Sequence, residues 1–133
     1  MGLDNGIMLK IKDREAFGEV PSWVEHFTWD GPDTYEINYW RKCWNVRAEI
    51  LEYLGAEDEE YEWELNPSDL IDIVNILDAA LYKEDKWDDS VSIWEWSEIG
   101  EIYLEKLRYQ ERIAKWLQTK PADSYVVYFY DSY

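Results

Sequence analysis

The amino-acid sequence predicts a single α+β domain, in which about three helices pack on one face of a small, mostly antiparallel sheet. Three stretches repeat apolar residues at steps of three and four, which is typical of amphipathic helices. Several shorter stretches alternate apolar and polar residues, as strands do. Residues 124–130, SYVVYFY, are apolar or aromatic on both sides of the pleat after the first residue. We therefore expect a central C-terminal strand that is buried on both faces.

The chain begins with a predicted strand of about six residues. Ile7, Leu9 and Ile11 alternate there with a methionine and two lysines. The preceding residues 4–6, Asp-Asn-Gly, predict a turn. Residues 13–33 keep no regular period and contain several aromatic residues and turn signals, so they predict an aromatic-rich surface loop.

A second strand and the clearest amphipathic helix follow. Tyr35, Ile37 and Tyr39 alternate with polar residues and predict a strand over 35–39. The segment from Tyr39 to Leu54 predicts a helix, which Gly55 ends. Its apolar stripe, in which Arg47 is the one charged member in phase, consists of Trp40, Cys43, Trp44, Ile50, Leu51 and Leu54.

A third strand and a second helix come next. Tyr61, Trp63 and Leu65 are expected to face the core, with the intervening glutamates in water. Asn66 predicts a helix N-cap and Pro67 the first helical position. That helix runs to about residue 82 and buries Leu70, Ile73, Val74, Leu77 and Leu81.

The last helix is expected to begin around residues 96–98, with Ser97 as its cap, and to end near Leu117. Between the two helices, residues 83–92 predict a polar loop because they have no apolar period. The buried face of the last helix is predicted to contain Ile99, Ile102, Tyr103, Leu107, Tyr109, Ile113, Ala114, Trp116 and Leu117.

Charge is distributed unevenly along the chain. Residues 49–101 carry eighteen acids and two lysines, which accounts for −16 of the total −17. Such a segment repels nucleic acid and anionic lipid and attracts basic proteins. No run of eighteen apolar residues and no secretory signal pattern is present. The single cysteine, Cys43, is in phase with an apolar stripe, so we expect a buried thiol and a reducing, cytosolic setting.

Three short motifs resemble those of a family of small phage and prophage proteins. They are the start MGLD, the segment YWRK at 39–42 and the aromatic end YFYDSY. The family typically begins Met-Gly-Leu-Asp-Met-Tyr-Leu, carries Tyr-Trp-Arg-Lys and ends in Ser-Ser-Trp. This chain departs from it at residues 5–7, at the end 131–133, and in lacking a histidine after YWRK. The resemblance implies a phage origin and a compact fold, supplies no activity, and covers Gly2, Leu3, Asp4, Tyr39, Trp40, Arg41, Lys42, Tyr128, Tyr130 and Ser132.

The acidic segment is the first candidate binding surface. Its carboxylates could imitate a nucleic-acid backbone, because alternate residues of a strand stand about 6.6 Å apart. Trp87 lies in a polar loop and would supply an aromatic contact. The ordinary alternative is a solvated face that keeps the chain soluble. The predicted surface consists of Glu57, Asp58, Glu59, Glu60, Glu62, Glu64, Asp85, Asp88, Asp89 and Trp87.

The YWRK region is the second candidate. Arg41 and Lys42 lie where a strand is expected to turn into a helix, and the positive end of the helix dipole favours an anion there. The alternative is an internal ion pair between Arg41 and Asp4 with a solvated Lys42. The predicted ligand pocket contains Asp4, Tyr39, Trp40, Arg41, Lys42, Tyr128, Tyr130 and Ser132.

No catalytic motif is recognisable. The chain lacks a His-Glu-x-x-His zinc motif, a calcium-loop pattern, a glycine-rich phosphate loop and a nucleophile elbow. Its single histidine, His26, falls in the aromatic-rich loop and is expected to be structural or exposed. We therefore predict no metal, no cofactor and no enzymatic activity.

The leading hypothesis is an acidic phage protein that inhibits a basic, nucleic-acid-binding host protein, such as a defence nuclease, in the cytosol. It predicts no direct contact with nucleic acid or membrane, and the sequence leaves a homodimer open. The second hypothesis is a protein that sequesters a nucleotide-like signal in the YWRK region. The third is an immunity protein that neutralises a toxin, and a hydrolase is the weakest alternative.

Overall fold

A computed structural model describes residues 4–24, 33–41, 44–56, 62–81 and 96–132, which form an α+β domain. Its described elements are four helices, a short 3-10 helix and four strands, so the predicted fold class is confirmed. In chain order they are β1 (Asp4–Ile11), α1 (Arg14–Phe17), β2 (Thr34–Arg41), α2 (Trp44–Leu54), β3 (Glu62–Leu65), α3 (Pro67–Leu81), α4 (Trp96–Leu117), the 3-10 helix (Ala122–Ser124) and β4 (Tyr125–Ser132).

The four strands form one antiparallel sheet in the order β2-β1-β4-β3. The first and last strands of the sequence are therefore neighbours in the middle of the sheet. This confirms the predicted central position of the C-terminal strand. The aromatic and β-branched composition of β4 fits a strand with a partner on each side.

One face of the sheet builds the hydrophobic core. Ile7 lies opposite Phe129, which lies opposite Trp63, and all three are buried. The helices add their apolar stripes to the same cluster, as the 3.6-residue period predicts. Their buried members are Phe17, Ile50, Leu51, Leu70, Ile73, Val74, Leu77, Leu107, Ile113, Ala114 and Leu117. Met8 is buried but does not belong to this cluster, because adjacent residues of β1 point to opposite faces.

β1 starts earlier than the sequence predicts. Residues 4–6, expected to form a turn, are strand residues that pair with β2 on one side and β4 on the other. Two flanking strands satisfy the backbone groups that a turn would otherwise satisfy locally. The turn prediction is therefore wrong.

β2 is longer than predicted, and it contains a β-bulge. The strand continues to Arg41 and α2 begins only at Trp44, so the predicted helix start at residue 39 is wrong. Pairing with β1 extends as far as Asp4 opposite Arg41, and it holds these residues in the sheet. The register shift between Ile7 and Met8 inserts an extra residue into β2 and moves Tyr39 off the core face.

The segment predicted as an aromatic-rich loop contains α1, whose first turn is capped by the Asp13 side chain. Phe17 is buried and packs edge-on against Trp116 at 5.2 Å between ring centroids. The half-buried Trp23 packs on Trp116 in the same way, at 5.7 Å. The described part of this segment is therefore anchored to α4 by aromatic contacts.

The structure adds detail to the predicted starts of two helices. At the start of α3, the backbone N–H of Asn66 donates to Oδ2 of Asp69 at 2.7 Å, so the third helical residue caps the turn. α4 begins at Trp96, which places Ser97 inside the helix and not at its cap.

In β4, Val127 and Phe129 are buried, while Val126, Tyr128 and Tyr130, which point to the other face, are half-buried. The sequence predicts that β4 is buried on both faces, but in the structure the face away from the core is only half-buried.

Candidate functional site

The sheet face opposite the core brings members of both predicted sites together. Alternation along the strands and the antiparallel register place ten described side chains on it. We call it the tyrosine face. It consists of Met8, Lys10, Thr34, Glu36, Tyr39, Glu62, Glu64, Val126, Tyr128 and Tyr130.

One row across this face runs from Tyr39 through Gly6 and Tyr130 to Glu62. Tyr39 is 42% exposed and is the one exposed large hydrophobic residue of the described chain. A Cβ atom added at Gly6 would lie 2.5 Å from Cε1 of Tyr130, so the tyrosine ring rests directly on the glycine. The ring of Tyr130 therefore occupies the space that a side chain at position 6 would need.

The neighbouring row runs from Glu36 through Met8 and Tyr128 to Glu64. Met8, an apolar residue at the centre of the face, is only 2% exposed and adds almost no accessible surface. Tyr128 is half-buried and Glu64 is exposed. The face thus has an apolar and aromatic middle with a carboxylate residue at each end of this row.

Two Tyr–Glu pairs lie side by side on adjacent strands. Glu62 is directly opposite Tyr130, and Glu64 is directly opposite Tyr128. Directly opposed residues in an antiparallel sheet have Cβ atoms about 5 Å apart. Each exposed glutamate is therefore the cross-strand neighbour of a tyrosine.

Part of the predicted ligand pocket assembles at one end of the same face. Asp4 is the register partner of Arg41 on one side and of Ser132 on the other. This backbone pairing places the two residues of the predicted Asp4–Arg41 ion pair on neighbouring strands. Trp40 is the register partner of Asn5, one position away from the row of Asp4. Lys42 lies outside the described residues.

Only part of the predicted acidic surface falls on described residues. Glu62 and Glu64 are exposed on β3, as the alternating pattern predicted. The remaining members lie outside the described residues. They are Glu57, Asp58, Glu59, Glu60, Asp85, Trp87, Asp88 and Asp89.

A buried polar cluster that the sequence analysis missed lies on the core side of the sheet. Nε of Arg47 donates to Oδ2 of Asp131 at 2.8 Å, and the two side chains are 10% and 1% exposed. Nδ2 of Asn5 donates to Oδ1 of Asp131 and, at 3.3 Å, to the carbonyl oxygen of Tyr130. Within the described chain, Oδ1 of Asn5 is buried without a hydrogen-bond partner.

The sequence carried a signal for this cluster. Arg47 is in phase with the apolar stripe of α2, and Asp131 continues the buried series of Val127 and Phe129 at steps of two. A charged residue in phase with a buried face needs an opposite charge nearby, because an unpaired charge in the core is costly. Arg47 and Asp131 have opposite charges and both are in phase with a buried face, so this pattern predicts an ion pair between them.

A second buried polar chain links the bulge of β2 to two helices. Nδ2 of Asn38 donates to Oε1 of Gln110 at 2.9 Å, and Nε2 of Gln110 donates to the carbonyl oxygen of Leu70 at 2.9 Å. Asn38 and Gln110 are both almost fully buried. The chain therefore fixes the position of α4 relative to β2 and α3.

A tyrosine bridges two carboxylates between α2 and α3. Oη of Tyr53 lies 2.8 Å from Oδ1 of Asp69 and 2.8 Å from Oδ2 of Asp72. Burial, followed by the hydrogen bonds to these carboxylates, raises the pKa of Tyr53 above its ordinary value of 10. A phenol has one hydrogen to donate, so the two carboxylates share it.

The described part of the chain contains no group of three or more histidine, cysteine, aspartate or glutamate side chains that could hold a metal ion. None of its helices is long and apolar enough to cross a membrane. Cys43 and His26 lie outside the described residues.

Comparisons with protein-family models, with curated proteins and with solved structures find no match for this chain. The resemblance to the phage and prophage family therefore stays a prediction. The tyrosine face is the described surface that carries members of both predicted sites.

Proposed function

We propose that this protein is a non-enzymatic, acidic binding protein that inhibits a basic, nucleic-acid-binding host protein. The observation that carries the proposal is the register of β3 and β4, which sets Glu62 beside Tyr130 and Glu64 beside Tyr128. Aromatic side chains supply most of the affinity in many protein interfaces, and surrounding charges supply orientation and speed of association. The tyrosine face combines both kinds of residue.

The charge of the chain supports a basic partner. Residues 49–101, which include β3, carry −16 of the total −17. A surface of this sign attracts a cationic protein and accelerates its association, and dissolved salt weakens both effects. Nucleic acid and anionic membranes would be repelled by the same charges.

The spacing of two carboxylates and the family resemblance support a nucleic-acid-binding partner. Glu62 and Glu64 are alternate residues of one strand, about 6.6 Å apart along it. This is the order of the spacing between phosphates on a nucleic-acid strand. A phage origin, which the motifs suggest, makes a host defence nuclease in the cytosol the proposed target.

The proposal is tested by capture and release. The intact protein is immobilised, exposed to host lysate at low salt, and washed with duplex DNA at constant ionic strength. We expect a nucleic-acid-binding protein to be retained and then displaced by the DNA. Retained protein that DNA fails to displace, or an empty column, would contradict the proposal.

Matched variants separate the tyrosine face from total charge. Glu62→Gln with Glu64→Gln removes two exposed carboxylates on β3, and Glu52→Gln with Glu105→Gln removes two exposed carboxylates on helices. Both double variants change the net charge by the same amount. We expect the β3 variant to lose capture and the helix variant to keep most of it.

A second function is supported by the row that contains Asp4, Arg41 and Ser132. We propose, as the alternative, that this end of the face sequesters a nucleotide-like anion with help from Arg41. A ligand that binds the native state raises the melting temperature. The alternative expects that one nucleotide raises the melting temperature of the intact protein and does not raise that of Arg41→Ala. An unaltered melting temperature with every nucleotide of a full panel would exclude this alternative.

An immunity protein is the third proposal, and a toxin gene beside this one would favour it.

A further inference from the structure

We propose that the two Tyr–Glu pairs form adjacent sites for arginine side chains, and that they select an extended partner segment with the pattern Arg-x-Arg. The inference rests on the proposed function and deepens it by naming the chemistry of the docking segment. It comes from the juxtaposition of Tyr130 with Glu62 and of Tyr128 with Glu64 on neighbouring strands.

Each pair offers the two interactions that a guanidinium group prefers. An arginine can stack its planar group on a tyrosine ring and at the same time donate two hydrogen bonds to a carboxylate. With Cβ atoms of the pair about 5 Å apart, ring and carboxylate are close enough to engage one guanidinium. A lysine ammonium is a compact charge that cannot donate in this bidentate manner, so the site favours arginine.

The spacing of the two pairs determines the spacing in the partner. Along β4, Tyr128 and Tyr130 are alternate residues, so the pairs are about 6.6 Å apart. Side chains i and i+2 of an extended peptide repeat at the same interval and point to the same side. Two consecutive arginines would point to opposite sides, so only one of them would reach the face.

The face is suited to this occupant in charge and in exposure. Glu62 and Glu64 are exposed, and Tyr128 and Tyr130 are half-buried. The ring of Tyr130 lies against Gly6, where no side chain separates it from the sheet. Two cationic residues of the described strands lie on this face of the sheet, both outside the Tyr–Glu pairs: Lys10 has Val126 as its register partner on β4, and Arg41 lies in the row of Asp4 and Ser132.

The test uses three labelled peptides of equal length and equal net charge. One carries Arg-x-Arg, one carries Arg-Arg in a row, and one carries Lys-x-Lys, all with glycine and serine elsewhere. Affinity is measured by fluorescence anisotropy at low salt with the intact protein. We expect the Arg-x-Arg peptide to bind about tenfold more tightly than either of the others.

The variants decide what causes the preference. Glu62→Gln with Glu64→Gln should abolish it, and Glu52→Gln with Glu105→Gln should preserve it. Tyr128→Phe keeps an aromatic ring at that position and should also preserve it, which separates stacking from any role of the hydroxyl group. Circular dichroism and thermal melting verify that each variant is folded.

The outcomes distinguish the inference from the function on which it rests. If the intact protein binds all three peptides equally, the arginine sites are refuted, while attraction of basic segments stands. If it binds none of them at low salt, both the inference and the proposed function fail. A preference that survives in the Glu62 and Glu64 variant would also refute the assignment to these pairs.

Discussion

Arg47 and Asp131 form a buried ion pair that joins helix α2 to the last strand of the sheet. Their atoms Nε and Oδ2 are 2.8 Å apart, and Asn5 of the first strand donates to the other carboxylate oxygen. Three segments that are distant in sequence meet at this one carboxylate. A buried pair of this kind contributes little net stability when intact, but breaking it leaves an uncompensated charge in the core.

The first prediction follows from that asymmetry. Asp131→Ala should lower the free energy of unfolding by about 3–5 kcal/mol, because the buried Arg47 would lose the carboxylate that compensates its charge. Replacing both residues, as Arg47→Met with Asp131→Leu, should cost less than the single change. Urea denaturation measures both. As a reference, Glu111→Gln breaks the exposed ion pair with Lys115 and should cost under about 1 kcal/mol. Equal losses in the single and double variants would show that the charge pairing is unimportant.

The second prediction concerns the glycine beneath a tyrosine ring. Gly6→Ala places a Cβ atom 2.5 Å from Tyr130 and should destabilise the fold by about 1–3 kcal/mol. Tyr130→Ala removes the obstructing ring, so adding Gly6→Ala to that variant should cost much less. A double-mutant cycle from chemical denaturation gives the coupling between the two positions. Additive effects would contradict the close contact.

The third prediction is a dependence of stability on alkaline pH. The pKa of Tyr53 is raised in the folded protein by burial and by its carboxylate neighbours. Above pH 10 the unfolded chain loses the phenolic proton and the folded chain keeps it, so the unfolded state binds fewer protons and stability falls as pH rises. The stabilisation is complete below pH 10. Tyr53→Phe should flatten the decline, and Tyr125, whose pKa burial also raises, should leave a residual slope. An unchanged slope in Tyr53→Phe would refute the assignment.

The fourth prediction tests the polar chain through Gln110. Gln110→Met retains the length of the side chain but leaves the amide of Asn38 without its acceptor in the core. The expected cost is about 1–3 kcal/mol. The companion variant Gln110→Glu should lose more at neutral pH than at pH 4, because ionisation of a buried carboxyl group is unfavourable. Thermal melting at the two pH values measures the difference, and identical losses would argue that position 110 is accessible to water.

Periodicity predicted the elements that bury one continuous stripe. Asn66 and Pro67 predicted the start of α3, and its apolar steps predicted the buried residues Leu70, Ile73, Val74 and Leu77. The alternation around Trp63 predicted β3. These patterns are local, because all residues of one apolar face lie within a single continuous segment of the sequence. The fold class and the central position of β4 follow from the same kind of reasoning.

The features that the sequence did not predict depend on pairing between distant segments. The bulge in β2 has no glycine or proline to mark it, yet it moves Tyr39 from the expected core face to the tyrosine face. The extension of β2 to Arg41 depends on the partner strand, not on the residues 39–41 themselves. Glu62 lies opposite Tyr130 because of the register of β3 on β4, and local periodicity carries no information about that register.

The placement of β1 and β4 side by side has a consequence for how the protein is made. Ile7 pairs with Phe129, and β3 finds its described strand partner only in residues 127–130 of β4. A nascent chain emerging from the ribosome can form the β1–β2 hairpin and the helices. It cannot add β3 to the sheet before β4, which lies between β1 and β3, is available. The decisive step of folding must therefore wait until residues 125–132 have been synthesised. Closing so long a loop is slow, and the tyrosine face does not exist before that moment.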